Sequence, residues 1–153
     1  MSINVKSKPL DKSDISGSEF AIEMLKGDVT FGINFDRIQY HKSIKKYVIL
    51  EYLLCDEKQF SKGITPYTSH PNKYFFKNKH KFLSLWKLSQ KIEAILFFVN
   101  YSKKNTEYDD QILLMKTLSV SDVVKSPVST EDKKYTREQF SAWLRQLNKE
   151  GSI

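Results

Sequence analysis

Four segments of the chain are apolar enough to lie inside a fold, and the polar stretches between them divide it into elements. Over VTFGINFDRIQYH, Phe31, Ile33 and Phe35 alternate with other residues at a period of two, which predicts a strand. KKYVILEYLLC follows as a second, more apolar strand with β-branched residues at its centre, as an internal strand covered on both faces requires. ILFFVNYS and ILLMKTLSV predict a third and a fourth strand. Helical spacing appears in three places. SEFAIEMLKG predicts a short helix capped by Ser16 or Ser18 and stopped by Lys26 and Gly27. Over 78–94, Phe82, Leu85, Trp86, Ser89 and Ile92 form a buried stripe. Over 136–150, the stripe is Phe140, Trp143, Leu144 and Leu147, with Thr136 and Gln139 as a capping box and Gly151 as the stop.

The order helix, strand, strand, loop, helix, strand, strand, helix predicts an α/β fold: a central mixed sheet of about four to five strands flanked by helices. The helix at 78–94 crosses over between strands 46–54 and 95–101, which makes those two parallel. Residues 1–15 are polar and aperiodic and are expected to be disordered. Residues 16–153 then form a single domain that includes the C-terminal helix, which either docks on its own sheet or bridges two subunits. The stretch 56–76 carries Gly63, Pro66 and Pro71 and predicts an irregular connection; one so long is commonly functional or disordered. Residues 122–134 are linker-like.

Acidic residues break the apolar runs at two informative places. Asp36 lies in the first strand and Glu51 in the second, with the basic turn HKSIKK between them. A hairpin centred between Ser43 and Ile44 sets Asp36 directly opposite Glu51, with Cβ atoms about 4.5–5.5 Å apart. Like charges so placed repel unless something neutralises them, and two such carboxylates are an oxygen-ligand pair for Mg²⁺ or Mn²⁺. The competing assignment puts Asp36 at a solvated strand end and pairs Glu51 with Lys45 or Lys46. A one-residue slip in register would separate the two acids.

Charge and composition narrow the partners. A formal charge of +7 favours a polyanion. Lys77, His80, Ser84, Lys87 and Lys91 make a positive stripe on helix 78–94. Just upstream, Tyr67, His70, Tyr74, Phe75 and Phe76 are interleaved with Lys73 and Lys77, a pattern suited to phosphate contact and base stacking. Lys73, Tyr74, Lys77, Lys79, His80, Lys87 and Lys91 are therefore the candidate nucleic-acid-binding residues, against the alternative of a solvated helix face and a loop whose aromatics plug the core. The lone Cys55 excludes an internal disulfide, fits a reducing compartment and is expected to be a buried thiol. With no apolar leader or spanning run, a cytoplasmic protein without membrane attachment is expected. No zinc spacing, glycine-rich phosphate loop or G-x-S-x-G elbow is present.

From about residue 16 to residue 120, helix, acid-bearing hairpin, crossover helix and further strand resemble the PD-(D/E)XK nuclease-like superfamily, with its restriction-endonuclease-like fold. Asp36 matches the first acid of that pattern and Glu51 the second. The resemblance implies a metal-dependent phosphodiesterase acting on DNA, with Asp36 and Glu51 holding Mg²⁺ or Mn²⁺; Glu19 or Glu23 would correspond to a glutamate that members often add from the first helix. The family lysine should stand two residues after the second acid, where this chain has Leu53. Lys79, Lys81 and Lys87 on the crossover helix are the candidate replacements. Without a replacement, the resemblance implies a catalytically inactive protein that binds nucleic acid or regulates. A third possibility is an interaction module for an acidic protein.

Overall fold

A computed structural model of the chain describes residues 15–152. The expectation for residues 1–14 lies outside them. The described chain divides into two units, one ending at Asn34 and joined by Ser152, the other running from Phe35 to Gly151.

The first unit carries one helix, α1 (Ser16–Leu25). It begins one residue earlier than a serine cap would place it: Ile15 is the N-cap, and no side chain caps it. Its stop is as expected, with Lys26 and Gly27 both at positive φ. None of its residues is buried, and Phe20, Ile22 and Met24 are exposed.

The second unit is built on a five-stranded mixed sheet whose spatial order is its chain order: β1 (Arg37–His41), β2 (Lys46–Leu54), β3 (Ile95–Tyr101), β4 (Ile112–Val120) and β5 (Val128–Tyr135). β1 and β2 pair antiparallel, β2 and β3 parallel across helix α3 (Lys79–Lys91), and β3, β4 and β5 antiparallel. Two parts of this differ from expectation. The first strand starts at Arg37 rather than near Phe31. And the linker-like 122–134 contains β5, an edge strand whose sequence, VSTEDKKY, hides it because lysines and acids replace the apolar alternation. Charge on an exposed edge discourages pairing with another sheet.

Because side chains alternate along a strand, β2 and β3 present two apolar faces. Val48, Leu50, Phe97, Val99 and Leu114 lie under α4 (Arg137–Glu150), where Leu147 is buried and Phe140, Trp143 and Leu144 pack against them. α4 therefore docks on its own sheet. Ile49, Leu96, Phe98 and Met115 belong to the opposite set, on which Phe82 of α3 packs edge-on to Phe98 at 5.2 Å. The capping box closes α4 as its sequence predicts. Thr136 accepts from the Gln139 N–H and Gln139 accepts from the Thr136 N–H. Thr136→Ala should cost about 1 kcal/mol and lower the melting temperature by roughly 2–5 °C in a calorimetric scan.

The long connection 56–78 is ordered. It holds a short helix, α2 (Glu57–Phe60), with its own capping box at Asp56, and two 3₁₀ turns, Pro71–Lys73 and Phe75–Asn78. Buried Asn100 of β3 donates to the carbonyls of Pro66 and Ser69. Asn72 both donates to and accepts from the backbone of Val128. The connection is a cover for the sheet, stitched to β3 and β5.

Candidate functional site

The turn between β1 and β2 sets the site. Arg37 pairs with Leu50 and His41 with Lys46, the register that a turn centred between Ser43 and Ile44 requires, and Lys45 at φ 54° closes the turn. One step beyond the ladder, Asp36 meets the segment of Glu51 and Tyr52. Its Oδ2 accepts the Tyr52 N–H at 2.7 Å, so the side chain takes the place of a backbone acceptor where the strand ends.

Glu51 is 5% exposed inside β2. Its Oε1 is in direct contact with Nζ of Lys81, which reaches down from the first turn of α3. Its Oε2 is buried and has no hydrogen-bond partner. Burial pushes the Glu51 carboxyl above its ordinary range, Lys81 opposes that by hydrogen bond and charge, and the charge of Asp36 adds to it. Two carboxylates thus share one end of the hairpin with a single ammonium, and one buried carboxylate oxygen is left without a donor. That is a donor set for a hard divalent cation, which takes oxygen ligands from one or two carboxylates and completes its shell with water and phosphate oxygens. Among the described residues, no group of three or more His, Cys, Asp and Glu side chains gathers at metal-binding distance.

Of the three lysines left open on the crossover helix, Lys81 is the one joined to Glu51. Lys79 faces Asp122 at 3.2 Å, both partly exposed. Lys87 and Lys91 lie further along α3 and are exposed, as are Lys73, Lys77 and His80. Leu53, at the place of the family lysine, is buried in the core. Glu19 stands in the first turn of α1, in the other unit.

The aromatic run before α3 divides. Tyr74 is half-buried with its ring 5.9 Å from Phe82, and burial holds its phenol well above the ordinary range. Phe75 is buried and stacked on Phe82 at 6.0 Å. Phe76 is 81% exposed. Sequence reasoning did not separate these three, although consecutive residues in a tight turn cannot all face one side.

The remaining candidates have structural partners. His70 Nδ1 accepts the Asn72 N–H, which leaves Nε2 to donate to Thr130, whose hydroxyl passes the chain to Asp132. Burial lowers the affinity of His70 for a second proton. His41 lies against Glu150 of α4. Cys55 is buried, and burial raises its thiol to about 11, which keeps it un-ionised and poorly nucleophilic near neutral pH. A cavity of about 400 Å³, lined by Leu54, Cys55, Lys58, Phe60 and Lys103, opens beyond the ends of β2 and β3. Among the described residues, no helix is long and apolar enough to cross a membrane. Comparison of the chain with protein-family models, with curated proteins and with solved structures finds no match.

Proposed function

We propose that this protein is a cytoplasmic, metal-dependent phosphodiesterase that cuts DNA, of the PD-(D/E)XK nuclease-like kind, with the motif lysine supplied by the crossover helix. The observation that carries the reading is the meeting of Asp36, buried Glu51 and Lys81 at one end of the β1–β2 hairpin. A purely structural ion pair would not leave a buried oxygen of Glu51 without a partner.

Asp36 and Glu51 would hold the ion. When bound, Mg²⁺ or Mn²⁺ supplies Lewis-acid stabilisation of the phosphate and lowers the pKa of an attacking water. Lys81 opposes the burial-driven rise of the Glu51 carboxyl, and places a positive charge where a phosphodiester brings negative charge to the carboxylates. Lys73, Lys77, Lys87 and Lys91 neutralise phosphates on either side. Lys79 is held only by a surface pair with Asp122, worth about 0–1 kcal/mol, so it can exchange that partner for phosphate.

The test is cleavage of end-labelled single-stranded, duplex and branched DNA by the intact chain in Mg²⁺, Mn²⁺ or EDTA. Cutting that requires the metal is the expected result. A second reading, a catalytically silent DNA-binding or regulatory protein, is favoured by Leu53, which occupies the lysine position and is buried in the core. Salt-sensitive DNA binding by folded protein that cuts nothing would establish that reading instead. Binding indifferent to sodium chloride would remove both.

A further inference from the structure

We infer that Phe76 is a stacking platform for an unpaired base, so that the DNA bound beside Asp36, Glu51 and Lys81 is single-stranded at that point. The inference rests on the phosphodiesterase reading only for the identity of the reacting centre; the binding it describes is separate.

Phe76 is the most exposed aromatic ring of the second unit, at 81%, although it is flanked by Phe75, which is among the most buried. The two rings meet edge to face at 5.7 Å and 79°, so the buried ring props the outer one. A ring held out in this way is costly to leave in water and useful for stacking. Its surroundings select the ligand. Lys77 is its neighbour, Lys73 precedes it by three residues, and Lys79 follows it by three, all of them exposed. An apolar protein partner would meet a cluster of positive charge at that surface, whereas a nucleic-acid strand offers a phosphate for each lysine and a base for the ring.

The helix connects this surface to the carboxylates. Lys77 belongs to the 3₁₀ turn Phe75–Asn78 and Lys81 to the first turn of α3, only four residues later in the chain. Lys81 ends on Glu51, and Lys77, next to Phe76, precedes it by four residues. A strand whose phosphate lies at the carboxylates can place a neighbouring phosphate on Lys77 and turn its base onto Phe76. Bases in a duplex are already stacked and paired, so the ring has nothing to accept from a blunt duplex.

The experiment is equilibrium binding of a fluorescein-labelled oligothymidylate and of a blunt duplex, in EDTA at one fixed salt concentration, to wild type, Phe76→Ala, Phe76→Trp and Lys77→Ala. Phe76→Ala is expected to weaken single-strand binding roughly 5- to 100-fold while leaving duplex binding within about twofold. Phe76→Trp should bind the single strand as well as wild type or better. Lys77→Ala should weaken both ligands and flatten the salt dependence by about one ion. Phe76→Ala that binds the single strand as wild type does would overturn the inference, as would a wild type that prefers the duplex. Because metal is absent, the result is independent of cleavage. Cutting with no role for Phe76 leaves the phosphodiesterase reading and removes this one, and Phe76-dependent binding without cutting does the reverse.

Discussion

Glu51→Gln should reduce metal-dependent cleavage by at least about 10³-fold and, without metal, make the protein more stable at pH 7. The first effect follows from loss of a ligand charge at a site where the amide keeps the shape. The second follows from the direction of the carboxyl's shift. Glu51 binds its proton more readily in the folded chain than in the unfolded one, chiefly because it is buried. A carboxyl raised in this way favours the folded state below its unfolded range, and that contribution is lost as pH rises through the folded value. Wild type should therefore fall behind the glutamine variant between pH 4 and pH 7, by on the order of 1 kcal/mol at the upper end. Lys81 is partly exposed and can turn to water when its partner loses charge. Thermal melts in EDTA at the two pH values measure the difference. A variant that cuts like wild type would end the catalytic role of Glu51. One that is several degrees less stable at both pH values would make Glu51 a structural strut.

Lys81→Met should also depress cleavage, by about 10²–10³-fold, but with the opposite sign in stability. Here the buried carboxylate keeps its place and loses its only hydrogen-bonded cation. Glu51 can escape by taking up a proton, which caps the loss at about 3 kcal/mol at pH 7. The deficit should shrink toward pH 4, where the proton is already bound. Added Mg²⁺ should recover more stability in this variant than in wild type, because a bound cation replaces the missing ammonium. The double variant with Glu51→Gln should melt close to wild type, and the non-additivity would measure the coupling of the pair. If Lys81→Met cuts normally, the motif lysine has not moved to this helix.

Much of this arrangement was legible in the chain. The basic turn fixes the register of β1 and β2, and that alone brings Asp36 to Glu51. The apolar stripe of α4 and the Thr136–Gln139 box required only local spacing. What escaped depended on tertiary context. β5 reads as linker because an edge strand needs few apolar residues and this one carries charge instead. The region 56–76 reads as an irregular connection because the contacts that bind it down, Asn100 to Pro66 and Ser69 and Asn72 to Val128, join residues far apart in the chain. Lys79, Lys81 and Lys87 are indistinguishable by composition; the packing of α3 on the sheet brings Lys81 to Glu51. Phe76 differs from Phe75 only in the side of a 3₁₀ turn on which it falls.

β1 has five residues and one paired neighbour, and its outer side is fastened by the end of α4. Arg37 donates to Asn148, Gln39 donates to the Leu147 carbonyl, and the Lys42 N–H reaches Glu150. Gly151 lies so close to Gln39 that a Cβ there would fall 2.8 Å from its amide nitrogen. Arg37, the neighbour of Asp36, is therefore tied down by a residue 111 positions later in the chain. During synthesis the hairpin leaves the ribosome well before its fastening is made, and at about 5–20 residues per second several seconds separate the two events. The acids would come to their final positions only when α4 has emerged, so until then a nascent chain would carry an unassembled centre.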